Sequence, residues 1–109
     1  MANLNALVAA HLEAARAAEN GRSAKRLLHD GPLRQSLIAL AAGTGLAEHN
    51  SPPAASLQVL VGRVQVTGFD QPELAAGELS VLTHERHSVL ALEDSVFLLT
   101  TVTRVPPTQ

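Results

Sequence analysis

Two histidines carry most of the chemical interest of this chain. His49 sits in GTGLAEHNSPPAASLQVLVGRVQV, between a glycine-rich approach and an apolar run, and His87 sits in LTHERHSVLALEDS. Imidazole is the commonest protein ligand for metals, and two of them brought together can hold a transition-metal ion while waters complete its coordination. Without a metal, the same two rings can face a small wet cavity and hydrogen-bond to each other, to water or to a backbone carbonyl. His84 offers a third nitrogen, but it stands three residues before His87, and residues three apart in a regular strand face opposite ways. Only a turn at HERH would bring His84 and His87 to one point.

Other chemistries find little support. There is no cysteine among the 109 residues, which excludes disulfides, zinc-thiolate sites and cysteine nucleophiles. No serine lies in a strand-turn-helix elbow, no glycine loop resembles a phosphate cradle, and no paired carboxylates stand at a useful spacing. The net charge of −2 is nearly balanced and the basic residues are scattered, so no electrostatic footprint for nucleic acid emerges. Phe69 and Phe97 are the only aromatic residues, too few to build a stacking platform for bases. Glu48 neighbours His49 but should point away from it by strand alternation. Glu93 and Asp94 are expected in a solvated turn.

These residues need elements to position them. Leu4, Leu7, Val8, Leu12 and Ala15 recur at helical spacing within NLNALVAAHLEAARAAE, predicting an amphipathic helix over 3–19 that Asn20 and Gly21 stop. His11 lies near its apolar stripe and is read as structural. The helix is expected to cover its own barrel or that of a dimer mate, the alternative being a docking surface for another chain. Asn5, His11, Glu13 and Arg16 interrupt the apolar run, so it is neither a signal-peptide core nor a membrane span. A soluble, cytoplasmic protein with no membrane or nucleic-acid partner is the expectation.

Beyond Gly21, short apolar runs alternate with turn residues. AKRLLH, RQSLIALA, ASLQVLV, RVQVT, ELSVLT, HSVLAL and VFLLTTVTRV are separated by DGP, GTG, NSPP, GFDQP and LED, a texture of strands in a sandwich or barrel. RVQVT places Val64 and Val66 on one face, and VFLLTTV is apolar on both, as a strand covered on two sides would be. Pro106 and Pro107 should end the last strand near Arg104 or Val105.

With these elements in order, the chain resembles a small single-domain cupin. The family's first motif runs glycine, five residues, histidine, one residue, histidine, three or four residues, glutamate, six residues, glycine. Gly43, His49 and Gly62 fall on it, while Ser51 and Ala55 stand at the second histidine and the glutamate. The second motif is looser: Gly77 opens it, Thr83 replaces the usual proline, His87 comes one residue early, Glu85 stands near the glycine position, and Ala91 near the asparagine.

The resemblance implies an all-β, antiparallel jelly-roll barrel, usually dimeric, with a metal or small molecule inside. On that reading residues 1–21 form an N-terminal helical extension, 22–105 the cupin barrel and 106–109 a tail. The family's three histidines and one carboxylate suit Fe, Mn, Ni, Cu or Zn. Here His49 and His87, with His84 as a weaker third, would be the residual ligands of one divalent transition metal (Fe, Ni, Zn or Mn). The motif's phase assigns Ala55, Leu57, Val59 and Val61 to the interior and turns Gln58 away. Two functions follow from this: a small-molecule-binding or sensing barrel, or a metal-dependent enzyme of the dioxygenase or isomerase type. No residue is singled out as catalytic.

Overall fold

A computed structural model of the chain describes residues 3–49, 54–67, 73–82 and 87–103, with only the backbone described for 47–49 and 87. It opens with helix α1, Leu4–Ala17, followed by nine strands: β1 Arg22–Asp30, β2 Leu33–Leu40, β3 Gly45–His49, β4 Ala54–Val61, β5 Arg63–Val66, β6 Glu73–Ala75, β7 Leu79–Leu82, β8 His87–Ala91 and β9 Ser95–Val102. The Asn3 side chain caps α1 by accepting the Ala6 N–H at 3.2 Å, a partner for one of the helix's orphan donors. The helix ends at Ala17 rather than Glu19, where the Ala18 N–H closes back on the Ala14 and Ala15 carbonyls.

The strands form two antiparallel sheets, one in the order β1-β2-β9-β4-β7 and the other β3-β8-β5-β6. From β2 onward the chain passes repeatedly from one sheet to the other, as in a jelly roll. The sequence patterning missed two strands, β3 and β6. β3 has no apolar alternation beyond Leu46, and β6 contributes a single buried side chain, Leu74, so neither stands out in hydropathy.

Between the sheets lies the main core, built from Leu40, Ala55, Leu57, Val59, Val64, Val66, Leu74, Leu82, Val89, Ala91 and Phe97. Val64 and Val66 both turn inward, as the alternation of RVQVT requires. A second core joins α1 to the outer face of the larger sheet, where Ala15, Leu37, Ala39 and Val96 are fully buried with Leu7, Val8 and Leu12 packed around them. β2 and β9 are therefore apolar on both faces: Leu37, Ala39 and Val96 face the helix, Leu40 and Phe97 the barrel. The helix covers its own barrel, and His11 serves that contact through a 2.6 Å hydrogen bond between its Nδ1 and the Ser23 hydroxyl.

Val61 departs from the interior assignment made on the motif. A register shift between Val59 and Val61 in the β4–β9 ladder inserts one extra residue, and a bulge of that kind reverses the faces beyond it. Ala55, Leu57 and Val59 stay in the main core while Val61 joins the helix-side cluster. β9 ends at Val102, two residues before Arg104.

Candidate functional site

The barrel has one end that is closely knit. Gly62, between β4 and β5, has φ +86, and a Cβ there would overlap the Asp94 carbonyl and the Ser95 hydroxyl and lie 2.9 Å from the Ser95 Cα. Glycine is required on both counts, backbone conformation and space. Ser95 is fully buried; its hydroxyl accepts the Arg63 N–H at 3.0 Å and shares its proton between the Arg63 carbonyl at 3.1 Å and the Glu93 carbonyl at 2.8 Å.

Asp94 ties three elements together at this end. Its carboxylate accepts from Arg16 Nε of α1 at 2.6 Å and from the Ala42 N–H of the β2–β3 turn at 2.8 Å. The Arg16 hydrogen bond, helped by that of Ala42, lowers its pKa from the ordinary 3.8. The acidic turn is present as the sequence suggested, but Asp94 is a structural clasp rather than a merely solvated charge. Glu93 remains an exposed residue with a loose 3.9 Å ion pair to Arg63.

The histidine positions lie at the opposite end. The β3–β8 ladder starts beside the Ala91 N–H to Thr44 carbonyl bond of 2.9 Å and the Gly43 N–H to Ala91 carbonyl bond of 2.8 Å. It then pairs Gly45 with Leu90 and Leu46 with Val89, and ends by pairing His49 with His87. On β8, Val89 and Ala91 are both buried in the main core. Between Leu46 and His49 the register shifts, so β3 carries an extra residue and simple alternation cannot be used to orient Glu48. The adjoining position is braced: the Ser88 N–H donates to the Thr67 hydroxyl at 2.9 Å and the Thr67 N–H to the Ser88 carbonyl at 3.1 Å. His84, Ser51, Thr83 and Glu85 lie outside the described residues.

The facing sheet supplies a row that sequence patterning passed over. The β2–β9 register is unbroken from Leu33↔Val102 to Leu40↔Ser95 and pairs Ile38 with Phe97, Ser36 with Leu99 and Arg34 with Thr101. Ile38 and Leu99 pack against the main core, so Arg34, Ser36 and Thr101 belong to the inner face. Thr101 pairs onward with Ala55 and Ala55 with Leu82. Arg34, Thr101, Ala55 and Leu82 thus cross the sheet in one line. His87 is six residues before Glu93 and Thr101 seven after Asp94, so both strands carry this row and the histidine pair to the same end of the barrel. The two-residue period of RQSLIAL, with Arg34, Ser36 and Ile38 in phase, was the available signal.

The donor set does not fit a three-histidine, one-carboxylate centre. Ala55, at the position of the motif's glutamate, is buried and has no lone pair to give. The same row contributes the cation Arg34. What the residues provide is a backbone-paired couple of histidines at one end of an apolar interior.

No family model matches the chain, and no curated protein does. Solved structures do. A cupin superfamily protein from Desulfitobacterium hafniense is 20% identical with a TM-score of 0.72, over 80% of this chain and 82% of that one. KdgF from a Halomonas species is 24% identical with a TM-score of 0.67, over 79% and 84%. An acetylacetone dioxygenase from Acinetobacter johnsonii is 15% identical with a TM-score of 0.69, over 77% and 61%. At these identities the likeness shows the fold, a small antiparallel cupin-type barrel.

Proposed function

We propose that this cupin-type barrel is a small-molecule-binding or sensing module whose ligand occupies the end marked by His49 and His87. The observation that carries the reading is Ala55: it stands in line with Arg34 and Thr101 on the inner face and puts a methyl group where the motif has a carboxylate. The scaffold glycine Gly62 and the histidine positions remain, whereas the donor that would complete a metal centre is gone. Binding needs apolar surface with a few polar handles, and the inner face sets Arg34, Ser36 and Thr101 in line with apolar core residues. Catalytic turnover of a candidate substrate by the purified protein, abolished by His49→Ala, would refute the reading.

The His49↔His87 register supports a second reading, a metal-dependent enzyme of the dioxygenase or isomerase type. Opposed residues of an antiparallel pair have Cβ atoms about 4.5–5.5 Å apart, a spacing from which two imidazoles can reach one ion. This reading requires stoichiometric Fe, Ni, Zn or Mn in protein purified without chelators. Metal-free protein that refuses all four ions would end it.

A homodimer fits the outer face of the larger sheet, where Leu79 and Val81 on edge strand β7 are 64% and 71% exposed. Sedimentation equilibrium tests it. The absence of cysteine accords with a reducing cytoplasm, and among the described residues no helix is long and apolar enough to cross a membrane.

A further inference from the structure

Among the described residues, the Arg34 Nε is the one buried side-chain nitrogen or oxygen without a hydrogen-bond partner. A guanidinium cannot shed its proton to relieve such a position, and a buried donor left unpaired is destabilising, the more so when the group is charged. Its neighbours along the sheet give no counter-charge. Thr101 and His29 are its register partners on β9 and β1. Of the carboxylates whose side chains are described, Asp94 holds Arg16, Glu73 and Glu93 pair with Arg63, and Glu78 accepts the Ala75 N–H at 2.6 Å. Asp30 pairs with Leu33, one register position from Arg34 and so on the other face of the sheet.

Resting on the binding-module reading above, we infer that the ligand is an anion, a small organic acid whose carboxylate lies along the Nε edge of the Arg34 guanidinium. The Nε edge presents two parallel N–H donors in the plane of the group, matching the two oxygens of a carboxylate. Packed sheets stand about 10 Å apart, so a molecule seated on Arg34 extends across the interior toward the β3–β8 layer and its histidine pair. Ala55 puts only a methyl group beside Thr101, whose hydroxyl can complete the oxyanion's hydrogen bonds. Leu57, Leu82 and Leu99 supply apolar walls for the rest of the molecule. The same positive charge explains why this row suits an anion better than a bare metal cation.

The test is calorimetric titration of the full chain with malonate, succinate, pyruvate and benzoate, with their amides, and with inorganic phosphate. It is repeated on Arg34→Lys and Arg34→Gln variants whose folding is checked by circular dichroism. At least one acid should bind, its amide at least roughly tenfold more weakly, with a roughly tenfold or larger loss in Arg34→Gln and a smaller one in Arg34→Lys, the size expected for a charged hydrogen-bonded pair. Equal binding of acid and amide, or an Arg34→Gln variant of undiminished affinity, overturns the anion inference and leaves the binding module standing. Binding of phosphate without any carboxylate overturns the choice of an organic acid. If acids, amides and phosphate all fail to bind, both readings fall.

Discussion

His49 and His87 are partners across the β3–β8 ladder, three residues beyond Leu46 on one strand and two beyond Val89 on the other. The pairing exists because β3 carries one more residue than its neighbour over this stretch. Residues 38 apart in sequence are thereby set opposite each other at the end of the barrel remote from the Asp94 clasp.

Gly62→Ala should destabilise the fold by at least about 2 kcal/mol, since it combines left-handed backbone strain with overlap against Asp94 and Ser95. Gly43→Ala is the control. Its φ is +84 but a Cβ there meets nothing within 4 Å, so only the backbone cost of about 1 kcal/mol applies. Urea denaturation of the two variants checks the ordering.

Ser95→Ala removes the hydroxyl that bonds the Arg63 N–H and the Arg63 and Glu93 carbonyls. Leaving those groups unpaired in a buried site should cost about 1–3 kcal/mol. A thermal melt unchanged from the wild type would show that water replaces the hydroxyl at no cost.

For Asp94 the pH dependence has a defined sign. Its folded pKa lies below the ordinary 3.8 because Arg16 and the Ala42 N–H favour the carboxylate, so its contribution is complete above that value and is lost as pH falls through the lower folded value. The stability gap between wild type and Asp94→Asn should be constant from pH 7 to about 5 and close in more acid solution. Added salt should narrow it at neutral pH, because the Arg16 partner is exposed. A gap that widens on acidification would contradict the clasp.

Much of this architecture was legible in the sequence, and what was hidden has physical causes. Seven apolar runs became strands because each has side chains to bury; β3 and β6 escaped notice because most of their pairing is backbone hydrogen bonding. The alternation of RVQVT survived folding, whereas the phase of ASLQVLV failed at Val61, where a bulge with no compositional mark reverses the faces. His49 and His87 stood out by residue type and motif spacing. Arg34 did not, because a charge in a strand reads as solvent-facing until the register shows which face it shares.

Helix α1 buries Leu37, Ala39 and Val96 on the outer face of the larger sheet. Deleting residues 1–20 should expose roughly 3 kcal/mol or more of apolar burial, giving protein that binds a hydrophobic dye and aggregates on size exclusion. A soluble truncated chain of unchanged stability would mean that the helix is dispensable to the barrel.

The most direct test of the central claim, that the His49 and His87 end of the barrel holds a small molecule, is native mass spectrometry of protein purified without chelators. It is run on wild type and on the His49→Ala, His87→Ala double variant, with elemental analysis of the same samples. The account predicts a non-covalent small-molecule adduct on the wild type, greatly reduced in the double variant, without one metal ion per chain. An adduct equally present in both proteins, or one Fe, Ni, Zn or Mn per wild-type chain lost from the double variant, would contradict it.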